Sequence, residues 1–257
     1  MTSELIRLGS PLGILRDIVR GWGAPHARRA APAPAARKQR DGIRPPKFAK
    51  QFAVLDFEAE AAPVISMFQP PEPIALDAVK IGIRDEALAY EDIPWGRLAD
   101  VPRVSVQAHL VCQIFNWYED VTWRGVRLAD FMAAAGLDVS EAGYLVVHSR
   151  DGHYFETLSR DEAMDPRVLL VSEMNGAPLP HEYGGPVRLV VPFLQGYKSV
   201  KWVARVHAYR HDPIGIKRLL GQSKSAALGR AWLDRLDIVP AEGRPGDPAP
   251  DRAGRED

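Results

Sequence analysis

The sequence predicts an α+β domain that is mainly β and built on a mixed sheet. Short runs of β-branched and aromatic residues recur along the chain, and such runs are typical of strands. Few segments with helical periodicity separate them, and their spacing is irregular. A doubly wound parallel sheet, which needs a regular alternation of strands and helices, is therefore disfavoured. Hydrophobic residues make up 46% of the 257 positions, which is enough to bury a sizeable core.

The strands are predicted from their composition and the helices from their periodicity. Segment 127–136 is predicted to be a helix, because four apolar residues share one face at helical spacing and Gly136 follows them. Segment 159–165 is predicted to be a second, shorter helix. The predicted strands are FAVLDF (52–57), VSVQAHLVC (104–112), YLVVHS (144–149), VRLVVPF (187–193) and KWVARVHAYR (201–210).

Two polar stretches divide the chain. Residues 24–46 are rich in Ala, Pro and Arg, and residues 240–257 are rich in Pro and charged residues, so neither can offset its ordering entropy by burial. Upstream of the first stretch, the apolar stripe of residues 4–22 predicts an amphipathic helix. We therefore expect an N-terminal helix and flexible arm over 1–46, a folded domain over 47–212, and an extension over 213–257 that ends in a disordered tail.

The charge and the cysteine content exclude several classes of partner and environment. The chain has 33 basic and 33 acidic side chains, so no overall field attracts nucleic acid. One cysteine cannot form an intramolecular disulfide, and no stretch has the apolar length of a membrane span. We expect a cytoplasmic protein with a small-molecule partner. The N-terminal helix is expected to dock on a partner protein or a membrane surface, with docking on its own domain as the alternative.

The single cysteine, Cys112, ends a predicted strand within VCQIFNWYEDVTWRGVRL (111–128). Strand alternation places its side chain on the same face as four apolar residues, so by pattern alone it belongs to the core. The other interpretations are a nucleophile, for which no histidine has a distinguishing spacing, and a soft thiolate ligand for a transition metal. Further along, Trp123 is expected to open a turn at Arg124-Gly125-Val126.

A second feature is the group of cations in NGAPLPHEYGGPVRLVVPFLQGYKSVKW (175–202). Arg188 lies in an otherwise apolar predicted strand, and Lys198 and Lys201 flank a small residue in a predicted tight turn. A buried arginine is costly unless it is paired or binds an anion. Arg188, Ser199 and Lys201 together could form a phosphate cradle, and a structural salt-bridge cluster is the alternative.

The same residues carry a resemblance to a known family. The segments TWRGVRLADFMAAAG and RDGHYFETLSRDEAMDPRVLLVSEMNGAPLPHEYGGPVRLVVPFLQGYKSVKW resemble the molybdopterin-binding domain of the sulfite oxidase family. That family also includes the bacterial methionine sulfoxide reductase catalytic subunits. The resemblance covers roughly residues 50 to 210, with its motifs in the family's order, and it implies the sulfite oxidase molybdopterin-binding fold for the folded domain.

The resemblance implies a set of cofactor contacts. In the family, the dithiolene of one molybdopterin and a single protein cysteine bind molybdenum, and Cys112 matches that cysteine. The pterin-phosphate contacts correspond to Arg188 and to the turn Ser199-Val200-Lys201. Ser149 matches a small hydroxyl residue near the cofactor, and Tyr183 occupies a position where the family has a histidine or asparagine.

The implied function is two-electron oxygen-atom transfer between a small substrate and a molybdenum centre. Because the chain has no haem or iron–sulfur motif, we expect a separate electron carrier. The alternative is a non-catalytic protein that keeps the fold as a binding or scaffold module and has lost the cofactor. Tyr183 and the bulky sequence CQIF after the cysteine position favour that alternative.

Overall fold

The structure is a computed structural model that describes residues 26–29, 37–38, 63–85, 90–112 and 117–239. The predicted strand 52–57 and the predicted N-terminal helix 4–22 lie outside the described residues. The strands are β1 (His26–Arg29), β2 (Arg37–Lys38), β3 (Pro63–Ser66), β4 (Lys80–Arg84), β5 (Tyr90–Pro94), β6 (Val104–Cys112), β7 (Trp117–Arg127), β8 (Tyr144–Ser149), β9 (Phe155–Ser159), β10 (Leu169–Met174), β11 (Ala177–Pro178), β12 (Arg188–Val190) and β13 (Val203–Tyr209). The helices are α1 (Leu128–Ala135), α2 (Arg160–Met164), α3 (Ile216–Leu219) and α4 (Arg230–Leu236).

The strands form two main sheets, and the predicted mixed, mainly β fold is confirmed. The five-stranded sheet has the order β5-β4-β13-β8-β9, in which β4 and β13 pair in parallel and their neighbours pair antiparallel. The second sheet has the order β11-β10-β7-β2, with β12 paired to β10 and β6 paired to β7. A separate antiparallel pair joins β1 to β3.

Both predicted helices form where their sequence signals place them. Helix α1 buries its apolar stripe and ends at Gly136, whose φ of 72° is in the left-handed region that suits glycine. Helix α2 begins at a capping box in which Ser159 and Glu162 each bind the other's backbone N–H. The buried stripe of α1 consists of Leu128, Phe131, Met132 and Ala135.

The predicted turn after Trp123 is wrong, because residues 123–127 continue strand β7. Gly125 lies where the paired strand β10 approaches β7 closely, and a side-chain Cβ there would overlap the carbonyl oxygen of Leu170. The glycine therefore serves a close strand approach and not a change of chain direction. Glycine has both uses, so the local sequence did not distinguish them.

The main hydrophobic core lies between the two sheets and is closed by α1. It takes buried side chains from the five-stranded sheet, such as Ile81 and Val206, and from the second sheet, such as Leu170 and Leu189. Residues after 212 also pack on the body: Ile216 contacts the Phe68 cluster, and further apolar residues of the extension contact β6 and β7. Among the described residues, no helix has the length and apolar character needed to cross a membrane.

Candidate functional site

A short turn at residues 181–184 is held by four donors from two neighbouring segments. The turn begins with the 3₁₀ helix His181–Tyr183 and ends at Gly184, whose φ of 103° requires the freedom of glycine. Four consecutive carbonyl oxygens each accept one hydrogen bond from outside the turn. The bonds run from Trp202 Nε1 to His181 O (2.8 Å), from Lys201 Nζ to Glu182 O (2.9 Å), from Arg188 Nη1 to Tyr183 O (2.8 Å) and from Trp202 N to Gly184 O (3.1 Å).

Arg188 is the centre of this arrangement. It is only 2% exposed, on strand β12, and its guanidinium also donates to Ser199 O at 3.0 Å and to Leu189 O at 3.4 Å. The guanidinium carbon lies 5.2 Å from the centre of the Trp123 ring on strand β7. Arg188 thus joins the 181–184 turn, the turn after residue 198 and the second sheet.

The charge of Arg188 has no acidic partner among the described residues, since none of their carboxylates lies within ion-pair distance of it. Burial lowers the pKa of Arg188 to about 10, so the side chain remains a cation at neutral pH. A guanidinium carries five N–H groups, and three are used by the carbonyls of the turn and strand. This buried cation therefore fits an anionic ligand group such as a phosphate.

The residues after Lys198 are fixed against strand β12. Ser199 is buried, and its hydroxyl oxygen accepts a hydrogen bond from the N–H of Val191 at 3.0 Å. The carbonyl of Val200 accepts from the N–H of Leu189 at 2.8 Å. The predicted contacts Ser199 and Val200 therefore lie directly beside Arg188, and they are positioned mainly through their backbone.

The two lysines of this region point to different places. Lys201 is half-buried, and its ammonium donates to the 181–184 turn as described above. Lys198 is 2% exposed and turns to strand β9, where its Nζ lies 2.9 Å from a carboxylate oxygen of Glu156 and 2.6 Å from Thr157 O. Lys198 is therefore a buried ion-pair partner, which is the salt-bridge alternative considered for this group of cations.

Ser149 lies next to the same region through the five-stranded sheet. It ends β8 and pairs with Val203, the first residue of β13. The N–H of Arg150 donates to Trp202 O at 2.7 Å, which ties the end of β8 to the 199–202 turn. The hydroxyl oxygen of Ser149 accepts from the N–H of Asp151, so this residue also shapes its own turn.

Tyr183 is buried and belongs to the same cluster. Burial first, and then the nearby carboxylate of Glu119, raise the pKa of Tyr183 well above that of a free tyrosine. Its hydroxyl is therefore neutral at physiological pH and can donate a hydrogen bond. Glu119 is 1% exposed and was not recognised from the sequence. It lies at two-residue spacing from Val121 and Trp123 on β7, and this spacing places all three on the same inward face of the strand.

Cys112 is the last residue of strand β6 and pairs with Trp117 of β7, and its side chain lies outside the described part of the molecule. The preceding residue, Val111, approaches the 196–198 turn so closely that a Cβ on Gly196 would overlap the Val111 carbonyl. The end of β6 therefore packs against the turn that leads into Ser199. The four apolar residues that strand alternation grouped with Cys112 in the sequence are half-buried and not core, namely Val104, Val106, Ala108 and Leu110.

Two further side chains of the cluster have a buried polar atom that makes no hydrogen bond to the described residues. The indole nitrogen of Trp123 and Nδ1 of His181 are buried and have no hydrogen-bond partner in the described part of the chain. Unpaired buried polar atoms are costly in native proteins and point to a ligand or to water. Together with the charge of Arg188, they make this cluster a suitable place for a polar, anionic cofactor.

Comparison with protein families decides the nature of that cofactor. A family described as "oxidoreductase molybdopterin binding domain" matches residues 70–216, which is more than half of the chain. The chain belongs to this family. Molybdopterin is accordingly the cofactor of this domain, and the predicted resemblance and fold are confirmed.

Curated relatives carry related functions in their names. Human mitochondrial sulfite oxidase is 41% identical over 92 residues, which are 33% of this chain and 17% of the human protein. The uncharacterized oxidoreductase YuiH of Bacillus subtilis is 34% identical over 129 residues, which are 50% of this chain and 61% of YuiH. The methionine-sulfoxide reductase subunit MsrP of Gluconobacter oxydans is 43% identical over 60 residues, 23% of this chain and 19% of MsrP.

The matched region thus spans less than a fifth of the length of human sulfite oxidase and of MsrP. Among solved structures, the sulfane dehydrogenase SoxCD from Paracoccus pantotrophus aligns with a TM-score of 0.49 and 24% sequence identity. That alignment covers 55% of this chain and 40% of the SoxCD chain.

Proposed function

We propose that this protein is a molybdopterin-dependent oxidoreductase that transfers an oxygen atom, with two electrons, to or from a small substrate. The observation that carries the proposal is the buried guanidinium of Arg188, which has unused N–H donors and no carboxylate partner in the described residues. In a member of a molybdopterin-binding family, the phosphate of the cofactor is the natural anion for that charge.

The residues of the cluster have separate roles in this proposal. Arg188 and Lys201 neutralise the cofactor phosphate, and the hydroxyl of Ser199 and the backbone of Val200 position it. Ser149 and Tyr183 donate hydrogen bonds at the edges of the cofactor. Burial of these groups excludes water and so strengthens each interaction with the bound anion.

Cys112 is proposed as the protein ligand of the metal. Thiolate is a soft donor that suits molybdenum, and Cys112 ends the strand in which Leu110 is paired in register with Glu119 of the Tyr183 cluster. When bound, the cofactor supplies the two-electron redox centre, and the protein supplies position and electrostatics. We further propose that electrons pass to a separate carrier, that the N-terminal segment 4–22 docks on a partner protein or a membrane surface, and that the protein acts in the cytoplasm.

A second function, a scaffold without cofactor, is favoured by one observation. Arg188 already binds three carbonyls of its own chain, so the 181–184 turn is supported without any ligand. Tyr183 replaces the expected histidine or asparagine and is consistent with this reading. A scaffold of this kind would fold fully in a host that makes no molybdopterin, and it would contain no metal in any host.

Elemental analysis of the full-length protein separates these two functions. Protein purified from a host that makes molybdopterin should contain about one molybdenum atom per chain, because the chain has a single cysteine that would hold the metal. Cys112→Ser should keep the thermal unfolding transition while losing the metal's characteristic electron paramagnetic resonance signal and its turnover. Wild-type protein without molybdenum from that host would establish the scaffold function instead.

A further inference from the structure

Four basic residues gather on the face of the five-stranded sheet that points away from the main core. Arg84 of β4 is paired in register with His207 of β13, and Arg205 of β13 is paired with His148 of β8. Residues at such positions share one face, while Val206 and other members of the alternate set enter the core. We call these four residues the basic face cluster.

The two histidines lie at its centre. Their ring centres are 4.9 Å apart, and the ring planes are inclined by 54°. His207 is only 8% exposed, and the Nε2 atoms of both rings are buried without a hydrogen-bond partner in the described part of the chain. Two adjacent unpaired imidazole nitrogens in one buried place are unusual, because burial of a polar atom without a partner is costly.

The surroundings of the histidines are positively charged. Neither Arg84 nor Arg205 makes an ion pair with a described residue. The carboxylate on this face of the neighbouring strand, Asp92, accepts a hydrogen bond from Tyr90 at 2.7 Å. Burial first, and then His207 and Arg205, lower the pKa of His148 to about 3. Burial first, and then Arg84 and Arg205, lower the pKa of His207 to about 4. The charged groups that act on the two rings are therefore the guanidinium groups of Arg84 and Arg205.

This combination selects the sign of a ligand. A metal cation between the two imidazoles would be repelled by two arginines that no acid neutralises within the described residues. An anion would accept hydrogen bonds from the imidazole N–H groups and from both guanidinium groups at once. A tetrahedral oxyanion has enough acceptor oxygens to contact all four side chains.

We propose that the basic face cluster is a binding site for a tetrahedral oxyanion, such as phosphate, sulfate or a phosphomonoester. It is distinct from the Arg188 cluster, because His148 and Ser149 are consecutive in strand β8 and point to opposite faces of the sheet. The strand β8 nevertheless connects the two places directly.

Nuclear magnetic resonance of the histidine rings tests this proposal in the full-length, cofactor-loaded protein. Titration with inorganic phosphate near pH 7 should shift the ring signals of His148 and His207, and leave those of His153 and His211 unchanged. Sulfate and glycerol 3-phosphate are titrated in parallel. The ligand of these three that binds most tightly shows whether the site prefers an inorganic ion or a phosphomonoester. Signals that do not move with any of the three would overturn the proposal.

Charge-removing variants provide the second test. Arg205→Gln and Arg84→Gln should each weaken phosphate binding about tenfold or more, because each loses charge-assisted hydrogen bonds. Arg230→Gln is the matched control, since Arg230 is 82% exposed and lies on helix α4 away from the cluster. Equal affinity in all three variants contradicts the proposal. The proposal is also contradicted if zinc shifts both histidine signals and added phosphate does not reverse the shift, because the site would then bind cations.

Discussion

The guanidinium of Arg188 donates to the carbonyl oxygen of Tyr183 over 2.8 Å, five residues back along the chain. This bond fixes the backbone at the position where related proteins are expected to carry a histidine or asparagine. The position is therefore held independently of its side chain. Tyr183 can replace an imidazole there without moving the turn, although it offers a hydroxyl in place of a ring nitrogen.

Replacement of Arg188 should harm the protein more than replacement of Lys201. Arg188→Ala leaves the carbonyls of Tyr183 and Ser199 without donors in a buried place, at a cost of about 2 to 4 kcal/mol. Lys201→Ala removes the bond from a half-buried ammonium to Glu182 O and should cost about 1 kcal/mol. Thermal unfolding and molybdopterin content of both purified variants check this order. Equal losses of unfolding temperature and molybdopterin content in the two variants would show that Arg188 contributes no more than Lys201.

A pair of glycines distinguishes crowding from backbone strain. Gly184 and Gly152 both have positive φ, so alanine at either position should cost about 1 to 2 kcal/mol. At Gly184 the new Cβ would also lie 2.9 Å from Cα of Lys201, whereas nothing lies within 4 Å at Gly152. Gly184→Ala should therefore reduce both the unfolding temperature and cofactor content, and Gly152→Ala should reduce only the temperature. Unchanged cofactor content in Gly184→Ala would separate the turn from the cofactor site.

The buried ion pair of Lys198 and Glu156 is expected to be strongly coupled. Their charged atoms lie 2.9 Å apart, and both side chains are at most 3% exposed. Lys198→Met leaves a buried carboxylate and should destabilise the fold by about 3 to 5 kcal/mol. The double variant Lys198→Met with Glu156→Gln should recover part of that loss, because no charge is then left unpaired. Chemical denaturation of the four proteins of this cycle measures the coupling, and additive losses would contradict it.

Acid should destabilise the protein through His148 and His207. Their pKa values in the folded state, about 3 and about 4, lie below the unfolded value near 6.5, so the unfolded chain binds more protons between these limits. The folded state is therefore fully favoured above pH 6.5 and loses stability as pH falls toward 4.

The loss from this pair should be on the order of 1 to 2 kcal/mol after allowance for solvent screening. Denaturation midpoints between pH 7 and pH 4.5 should fall less steeply in a double variant, His148→Gln with His207→Gln, than in the wild type. The single variant His153→Gln, on an exposed turn, serves as the control. Identical slopes in the double variant and the wild type would assign the acid sensitivity to other groups.

Local sequence signals predicted those elements whose determinants are local. Helix α1 has its apolar spacing and its terminal glycine in one short segment, and α2 has its capping box within four residues. Strand β6 formed over the residues that alternation indicated. The turn expected after Trp123 failed because Gly125 serves a contact with Leu170, and no local signal reports a partner strand 45 residues away.

The candidate site divides in the same way. The sequence by itself determined that Arg188 is a cation in an apolar strand and so needs a partner. The same pattern grouped Arg188 with Ser199 and Lys201, and the family resemblance added Tyr183. Only the tertiary structure decided what each cation contacts: Lys198 binds a buried carboxylate, Lys201 binds a carbonyl, and Arg188 binds three carbonyls and no carboxylate of the described residues. The physical reason is that burial cost depends on one residue and its neighbours, whereas hydrogen bonds and ion pairs depend on which distant strands the fold brings within about 3 Å.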